Sequence, residues 1–231
     1  MLISIAIPFY NEEKNAEFVV EDLVSALKRE KINYEIILVN NGSRDKTPQI
    51  LNKLSRKYKG MKVIDVYPNQ GFGWGIINGL NAASGDAVGY MCGDGQTSSR
   101  AMADVIKTFL ENNLDFCQVK RTKRQDGAYR RFLSFGYKTL AHLMFRIPVS
   151  DITISPKLMK AGIYKSLGLH SKDWFMETEM LFKIGKLKLK ISEIPIEFRK
   201  RRKGSSHIKF STIFEFMKNL VTLKLKTGRF K

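Results

Sequence analysis

The sequence predicts an α/β protein: a mostly parallel central sheet with helices on both faces. Three observations carry that expectation. Apolar runs of strand length alternate with segments of helical periodicity through residues 2–91, an order that builds parallel strands covered on both sides. Polar clusters stand just past three of those runs, at Tyr10-Asn11-Glu12, Asn40-Asn41-Gly42-Ser43 and Gly93-Asp94-Gly95-Gln96. Ligands of open α/β sheets bind outside such strand ends. The chain has 231 residues and is 43% apolar, enough for one large domain with its own core.

Residues 2–9 read as the first strand, stopped by Pro8. Residues 11–28 read as a helix. Asn11 is placed to cap it, Glu12 and Glu13 suit the positive end of its dipole, and Phe18, Val19, Leu23, Val24 and Leu27 recur at helical spacing. A buried strand at 34–39 leads through an Asx-rich turn to a helix opened by Asp45 or Thr47 and ending near residue 59. A third strand at 61–66, a helix at 75–84 and a fourth strand at 87–91 follow. Beyond Gly95 the pattern loosens. A helix is expected at 102–111, a strand at 115–120, helices at 130–145 and 174–184, and a strand over 187–198 whose Pro195 marks a sheet edge. Residues 210–225 place Phe210, Ile213, Phe214, Met217, Leu220 and Val221 on one stripe, an amphipathic helix.

No apolar run approaches the roughly 18 residues that a membrane-spanning helix needs. Met1 leads into a strand without a basic segment, so no signal peptide is expected. Cys92 and Cys117 make neither a disulfide framework nor a metal spacing, which points to a reducing cytosol. His142, His170 and His207 are scattered and likewise show no metal spacing. The net charge of +18 implies an anionic partner: nucleic acid, acidic lipid or a phosphorylated substrate. The excess gathers in the block Arg199-Lys200-Arg201-Arg202-Lys203 and in the tail at Lys224, Lys226, Arg229 and Lys231. Solvated basic faces give similar runs. No nucleic-acid-binding motif or base-stacking platform accompanies the charge, so nucleic acid is set aside.

Residues 84–96 carry the most chemistry. A short apolar strand ends in one carboxylate between glycines, Asp94, with the amide Gln96 beside it. Both are hard oxygen ligands, suited to Mg²⁺ or Mn²⁺ carrying a diphosphate. A surface turn whose Asp only caps the backbone is the plain alternative. At the first strand end an aromatic and acids can hold a nucleobase and ribose, or simply cap a helix. At the second, side-chain amides can read a base edge or make an Asx turn. Asn69-Gln70-Gly71-Phe72-Gly73-Trp74-Gly75 is not a dinucleotide fingerprint: Ile76 stands where the third glycine belongs, and the motif follows the third strand, not the first.

The ordered set resembles the family 2 glycosyltransferases. It comprises Pro8-x-Tyr10-Asn11-Glu12, Val39-Asn40-Asn41-Gly42-Ser43-x-Asp45-x-Thr47, Ala83-x-Gly85-Asp86 and Gly93-Asp94-Gly95-Gln96. The later motifs resemble the polyprenyl-phosphate branch, typified by dolichyl-phosphate mannose synthase. They are Arg130 to Ser134, Asp151, Pro156-Lys157, Glu177-x-Glu179, Glu193-Ile194-Pro195-Ile196-x-Phe198 and Arg201-x-x-Gly204-x-Ser206. The resemblance implies a GT-A-type fold and a nucleotide-diphosphate sugar donor, a UDP- or GDP-sugar. It places Pro8, Tyr10 and Glu12 at the nucleotide and Asn41 where many members carry a base- or ribose-binding Asp. Asp94 and Gln96 would hold the metal, Mg²⁺ or Mn²⁺, and the diphosphate. Arg130 and Ser134 would receive the lipid phosphate, and Arg201 and Ser206 would belong to a loop over the donor diphosphate. Two departures weaken the hold on a divalent ion: Cys92 replaces the first carboxylate of the family's Asp-x-Asp, and Asn40-Asn41 replaces the common Asp-Asp.

A polyprenyl phosphate is already anionic, so the chemistry needs positioning and charge neutralisation, not a strong base. Asp151 and Glu179 stand either as groups orienting the acceptor or sugar, or as partners of nearby Arg and Lys. The resulting expectation is an inverting glycosyltransferase acting on a polyprenyl phosphate, peripheral at the cytoplasmic face of the membrane. An anionic membrane surface or a separate membrane-protein partner would hold it there. A glycosyltransferase with a glycan or soluble acceptor, and a non-catalytic nucleotide-sugar binder, are the alternatives. The division expected is a transferase domain at 1–209, with a nucleotide half at 1–96 and an acceptor half at 97–209, then a basic amphipathic helix and tail at 210–231.

Overall fold

The computed structural model describes residues 1–123, 128–145, 147–197 and 218–225, with the backbone alone described at 123 and 128–135. The elements are β1 (Ile3–Phe9), α1 (Ala16–Arg29), β2 (Tyr34–Asn40), α2 (Thr47–Lys57), β3 (Met61–Asp65), α3 (Phe72–Asn81), β4 (Ala87–Tyr90), α4 (Ser99–Glu111), β5 (Phe116–Lys123), α5 (Ala128–Met144), β6 (Lys157–Lys160), α6 (Ala161–Leu167), α7 (Met176–Ile184) and β7 (Ile191–Glu197). Residues 218–225 are also helical.

One seven-stranded sheet runs in the order β3-β2-β1-β4-β6-β5-β7. β1 is parallel to β2 and β4, β2 to β3, and β5 to β7; β6 alone runs against its neighbours β4 and β5. From β1 the chain builds outward to β2 and β3, then returns to place β4 on the other side. The strand order therefore reverses between β1 and β4, the position where open sheets leave a crevice for ligands.

Alternation along β1 sorts the core. Ile3, Ile5, Ile7 and Phe9 face a cluster with α1, α2 and α4, while Ala6 joins Val88 and Tyr90 in a second cluster with α3, α5, α6 and α7. Leu220 is also buried in that second cluster. Pro195 lies in β7, an edge strand, where its missing N–H leaves no gap inside the sheet.

Three expectations need correction. β6 and α6 have no counterpart in the sequence reading. The strand is only four residues long and begins at a lysine that is wholly buried, so it lacks the apolar run that marks a strand. Asn11 does not cap α1, which begins at Ala16. Asn11 instead adopts a left-handed φ of 54°, and its backbone and side chain bond Ser43 and Arg44 of the neighbouring loop. Several helices also begin earlier than expected, α3 at Phe72 and α4 at Ser99, the latter behind a Ser98 cap on the Arg100 N–H.

The end of the sheet away from the crevice is tied by Glu35. Its carboxylate accepts from Ser4 Oγ at 2.6 Å, Ser84 N at 2.9 Å and Lys62 Nζ at 2.7 Å. Burial pushes this carboxyl up, but those donors outweigh it and hold it at about 2, below the ordinary 4.5. A depressed folded-state value stabilises the fold above the unfolded value, and that contribution is lost as pH falls from about 4.5 towards about 2. Glu35→Gln is expected to lower unfolding free energy at pH 7 by about 1–3 kcal/mol. The gap should narrow at pH 3, as read by urea denaturation at both values; a gap that does not change with pH would overturn this account.

Candidate active site

The crevice between β1 and β4 is built from three loops held to one another. After β1, the chain turns at residues 10–15 and is fastened to the loop after β2. Asn11 N donates to Ser43 Oγ at 3.1 Å, Glu12 N to Thr47 Oγ1 at 2.9 Å, and Glu13 N to Asp45 Oδ2 at 3.1 Å. Glu12 is 8% exposed, and its Oε2 accepts from Asn15 Nδ2 at 2.6 Å. Pro8 is buried within β1, and half-buried Tyr10 follows its end. Burial pushes the Asp45 carboxyl up, but hydrogen bonds from Thr47 and Glu13 bring it below its ordinary value. Of the three candidate nucleotide contacts, Pro8 thus lies in β1, and Tyr10 and Glu12 lie in the stapled loop that follows it.

The loop after β4 lies across the end of β1 because of a glycine. A Cβ on Gly93 would meet the Phe9 ring at 2.5 Å and Pro8 O at 3.0 Å, so no other residue fits without displacing the first strand. Gly95 takes φ 69° to turn the chain back, and Asp94 Oδ1 accepts from Gln96 N at 3.0 Å. Asp94 and Gln96 are both half-buried at the ligand edge. Cys92 points elsewhere: its N–H donates to Ser155 Oγ at 3.1 Å, and that hydroxyl lies 3.2 Å from Sγ. Burial first, and then the charge of Asp94, push the Cys92 thiol far above its ordinary value, so it carries no charge at neutral pH.

Among the described residues no group of three His, Cys, Asp or Glu side chains is assembled to hold a metal. The donors that are present, one carboxylate and one amide, suit a Mg²⁺-type ion held by one or two carboxylates, water and substrate phosphates rather than by a protein cage. The site fits an ion that arrives with a diphosphate.

The third wall is Asn41 and the start of α3. Asn41 is 4% exposed, and its Nδ2 donates to Gly71 O at 3.1 Å while Oδ1 is buried without a partner. Here the glycine motif finds its reason. A Cβ on Gly71 would come within 2.4 Å of Lys172 O, one on Gly73 within 2.5 Å of Asp173 O, and one on Gly75 within 2.9 Å of the Asn41 amide. The glycines let α3 press against residues 171–173 and Asn41; Trp74 N donates to Lys172 O at 2.8 Å, and Phe72 stacks on Trp174 at 3.9 Å.

Glu179 and Asp151 prove to be partners of cations. Glu179 accepts from Ser171 N at 2.8 Å and Lys183 Nζ at 2.7 Å, which fixes the 170–173 loop. Asp151 is 3% exposed and engages Arg121 through Nε at 2.7 Å and Nη2 at 2.8 Å, and Lys138 Nζ at 2.9 Å. Burial pushes its carboxyl up, yet Arg121 and Lys138 prevail and hold it far below the usual range. Arg130 and Ser134 lie in α5, one turn apart on one helix face; Arg201 and Ser206 lie outside the described residues. Sequence reasoning missed Arg121 and Lys138. The signal for Lys138 was present, since it continues the 130–134 spacing by one more turn.

The profile of Glycosyl transferase family 2 matches residues 4–168. The chain belongs to that family. It is a glycosyltransferase with the GT-A fold. It is 30% identical over 234 residues to a dolichol-phosphate mannosyltransferase of Pyrococcus furiosus, covering 96% of this chain and 64% of that protein. It is 27% identical over 228 residues to a dolichyl-phosphate beta-glucosyltransferase of Trichomonas vaginalis, covering 91% of this chain and 71% of that one. Among solved structures, glucosyl-3-phosphoglycerate synthase of Mycobacterium tuberculosis, crystallised with Mn²⁺, UDP and glucosyl-3-phosphoglycerate, superposes with a TM-score of 0.73. The two share 19% identity, over 97% of this chain and 78% of that one.

Asp94 is the carboxylate of the loop after β4, half-buried and turned back by Gly95. Asp94→Asn is expected to cut sugar transfer at least about 100-fold with an unchanged circular dichroism spectrum and melting temperature. Near-normal turnover in saturating Mg²⁺ or Mn²⁺ would remove Asp94 from the site.

Proposed function

We propose that this family 2 enzyme transfers a sugar from a nucleotide-diphosphate sugar to a polyprenyl phosphate at a membrane surface. The observation that carries the donor half is the Gly93-locked loop, which packs the chain next to Asp94 against Phe9 at the end of β1, where the following loop is tied to the loop after β2. Pro8, Tyr10 and Glu12 would line the nucleoside, with Asn41 behind them. Asp94 and Gln96 would face the diphosphate, and a divalent ion bound there would neutralise the departing charge. Arg201 and Ser206 would close over the same group. The acceptor half rests on the two relatives, which are named for transfer to dolichyl phosphate.

The acceptor phosphate is an anion and attacks without a strong base. Its oxygen forms the new bond at the anomeric carbon as the bond to the diphosphate breaks on the opposite side, which inverts that centre. Arg130 and Ser134, one turn apart on α5, would pair with the acceptor oxygens. No helix among the described residues is long and apolar enough to cross a membrane. Leu143, Val221 and Leu225 are exposed, and Lys224 Nζ joins the C-terminal helix to Met144 O at the end of α5. Apolar side chains and basic charge at this corner support peripheral attachment to an anionic leaflet.

The deciding experiment incubates the protein with radiolabelled UDP-glucose or GDP-mannose and a short polyprenyl phosphate. Label extractable into organic solvent is the expected result. Label appearing only on a soluble acceptor would replace the lipid reading, and no transfer at all would favour a non-catalytic binder. In the active enzyme, Arg130→Ala and Ser134→Ala should raise KM for the lipid about tenfold and leave the donor KM within about twofold. A defect confined to the donor would reverse the assignment.

Attachment has its own test. Each basic residue near an anionic surface contributes about 1 kcal/mol, and salt screens it. Co-sedimentation with phosphatidylserine vesicles should therefore fall as salt rises and weaken when residues 222–231 are removed. Equal, negligible binding to anionic and neutral vesicles would show that a separate membrane protein supplies the attachment.

A further inference from the structure

We propose that Asp151 is a positioning residue for the acceptor, acting through Lys138 to fix the face of α5 on which residues 130 and 134 stand. The inference rests on the acceptor reading given above and assigns Asp151 no contact with substrate. Asp151 is fixed to two strands of the sheet, β5 and β7. From β5, Arg121 reaches it through Nε at 2.7 Å and Nη2 at 2.8 Å, and the same Nη2 also donates to Thr153 O at 2.7 Å. From β7, Glu193 accepts the N–H groups of Ser150 at 2.9 Å and Asp151 at 3.4 Å. Gln118, also in β5, bridges Asp151 O at 2.7 Å and Glu193 Oε1 at 2.9 Å through its Nε2. The carboxylate is a fixed point on the ligand edge of the sheet.

Lys138 brings α5 to that point, with Nζ at 2.9 Å from Asp151 Oδ1. Two further polar ties of α5 lead to other elements: Tyr137 OH bonds Thr178 on α7, and His142 Nε2 bonds Val149 O at 2.8 Å. Positions 130, 134 and 138 follow one another on one helix face, about 6 Å apart along the axis. The tether therefore acts on the face that carries both proposed acceptor contacts, one and two turns away. A helix free to roll or slide by about 1 Å would take those contacts out of line with the donor, and such misplacement is expensive in rate.

The test measures KM for polyprenyl phosphate and for the nucleotide sugar separately, in the full chain. Lys138→Met leaves the buried Arg121–Asp151 pair in place, so the protein should fold with its melting temperature little changed. The lipid KM is expected to rise about tenfold while the donor KM stays within about twofold, and Lys138→Arg should restore the lipid KM to within about threefold. Asp151→Asn should raise the lipid KM in the same direction. If Lys138 works through Asp151, the double variant is no worse than the worse single variant; if Lys138 touches the lipid phosphate itself, the two effects add. Additive effects, an unchanged lipid KM in Lys138→Met, or equal rises in both KM values would each overturn the proposal. Wild-type protein that labels no lipid would overturn the acceptor reading and this inference with it, whereas active wild type with an indifferent Lys138→Met overturns the inference alone.

Discussion

The arrangement of this molecule depends on one ammonium group that has no access to water. Lys157 is wholly buried, and its three protons go to Ile152 O at 3.0 Å, to Ile154 O and to Glu177 Oε1 at 3.0 Å. Tyr90 OH completes the cluster by donating to the same carboxylate oxygen at 2.8 Å. A buried cation short of one acceptor is strongly unfavourable. The chain at 152–154 must therefore curl over its own lysine, β6 must lie against β4, and α7 must deliver Glu177 to the junction. The neighbours then follow in sequence. Ser155 stands two residues before Lys157 and receives the Cys92 loop; Glu179 stands two residues after Glu177 and holds the loop that α3 presses against. Such a pair contributes little net stability compared with apolar packing, and its effect is to exclude other arrangements.

The same cluster gives a physical reason for the thiol at position 92. Glu177 and Asp94 both raise the proton affinity of Cys92, and Lys157 lowers it only in part. A carboxylate at this place would face two like charges across a buried junction. A neutral thiol against the Ser155 hydroxyl avoids that repulsion, and leaves Asp94 as the acid of the loop. The loss of one family carboxylate is thus compatible with an intact loop.

Much of the first half of the sheet and of its strand-end loops was legible in the sequence because it is made of local signals. The alternation in β1, the glycines around Asp94 and the polar clusters at strand ends are all read within a few residues. What escaped was made by distant partners. Lys157 in a strand contradicts hydrophobic patterning until Glu177 is brought beside it, and Asn11 looks like a cap until the loop after β2 claims it. The glycines from 71 to 75 were recognised as unlike a dinucleotide motif, but their use is set by the backbone of residues 172 and 173, about which local pattern says nothing. Asp151 was seen as an acid with two uses, and only the fold brings Arg121 and Lys138 to it.

The reversed strand β6 has one more consequence. It enters the sheet between β4 and β5, so the strand that ends at the Asp94 loop is completed by chain more than sixty residues later in sequence. A fragment stopping after Gln96 would carry β4 with an open hydrogen-bonding edge, a template for pairing with other chains. The portions before and after Gln96 are therefore two interlocked parts of one ladder, not modules that can be exchanged at their boundary. A protein split there would regain its shape only when the second piece threads a strand into the gap left by the first.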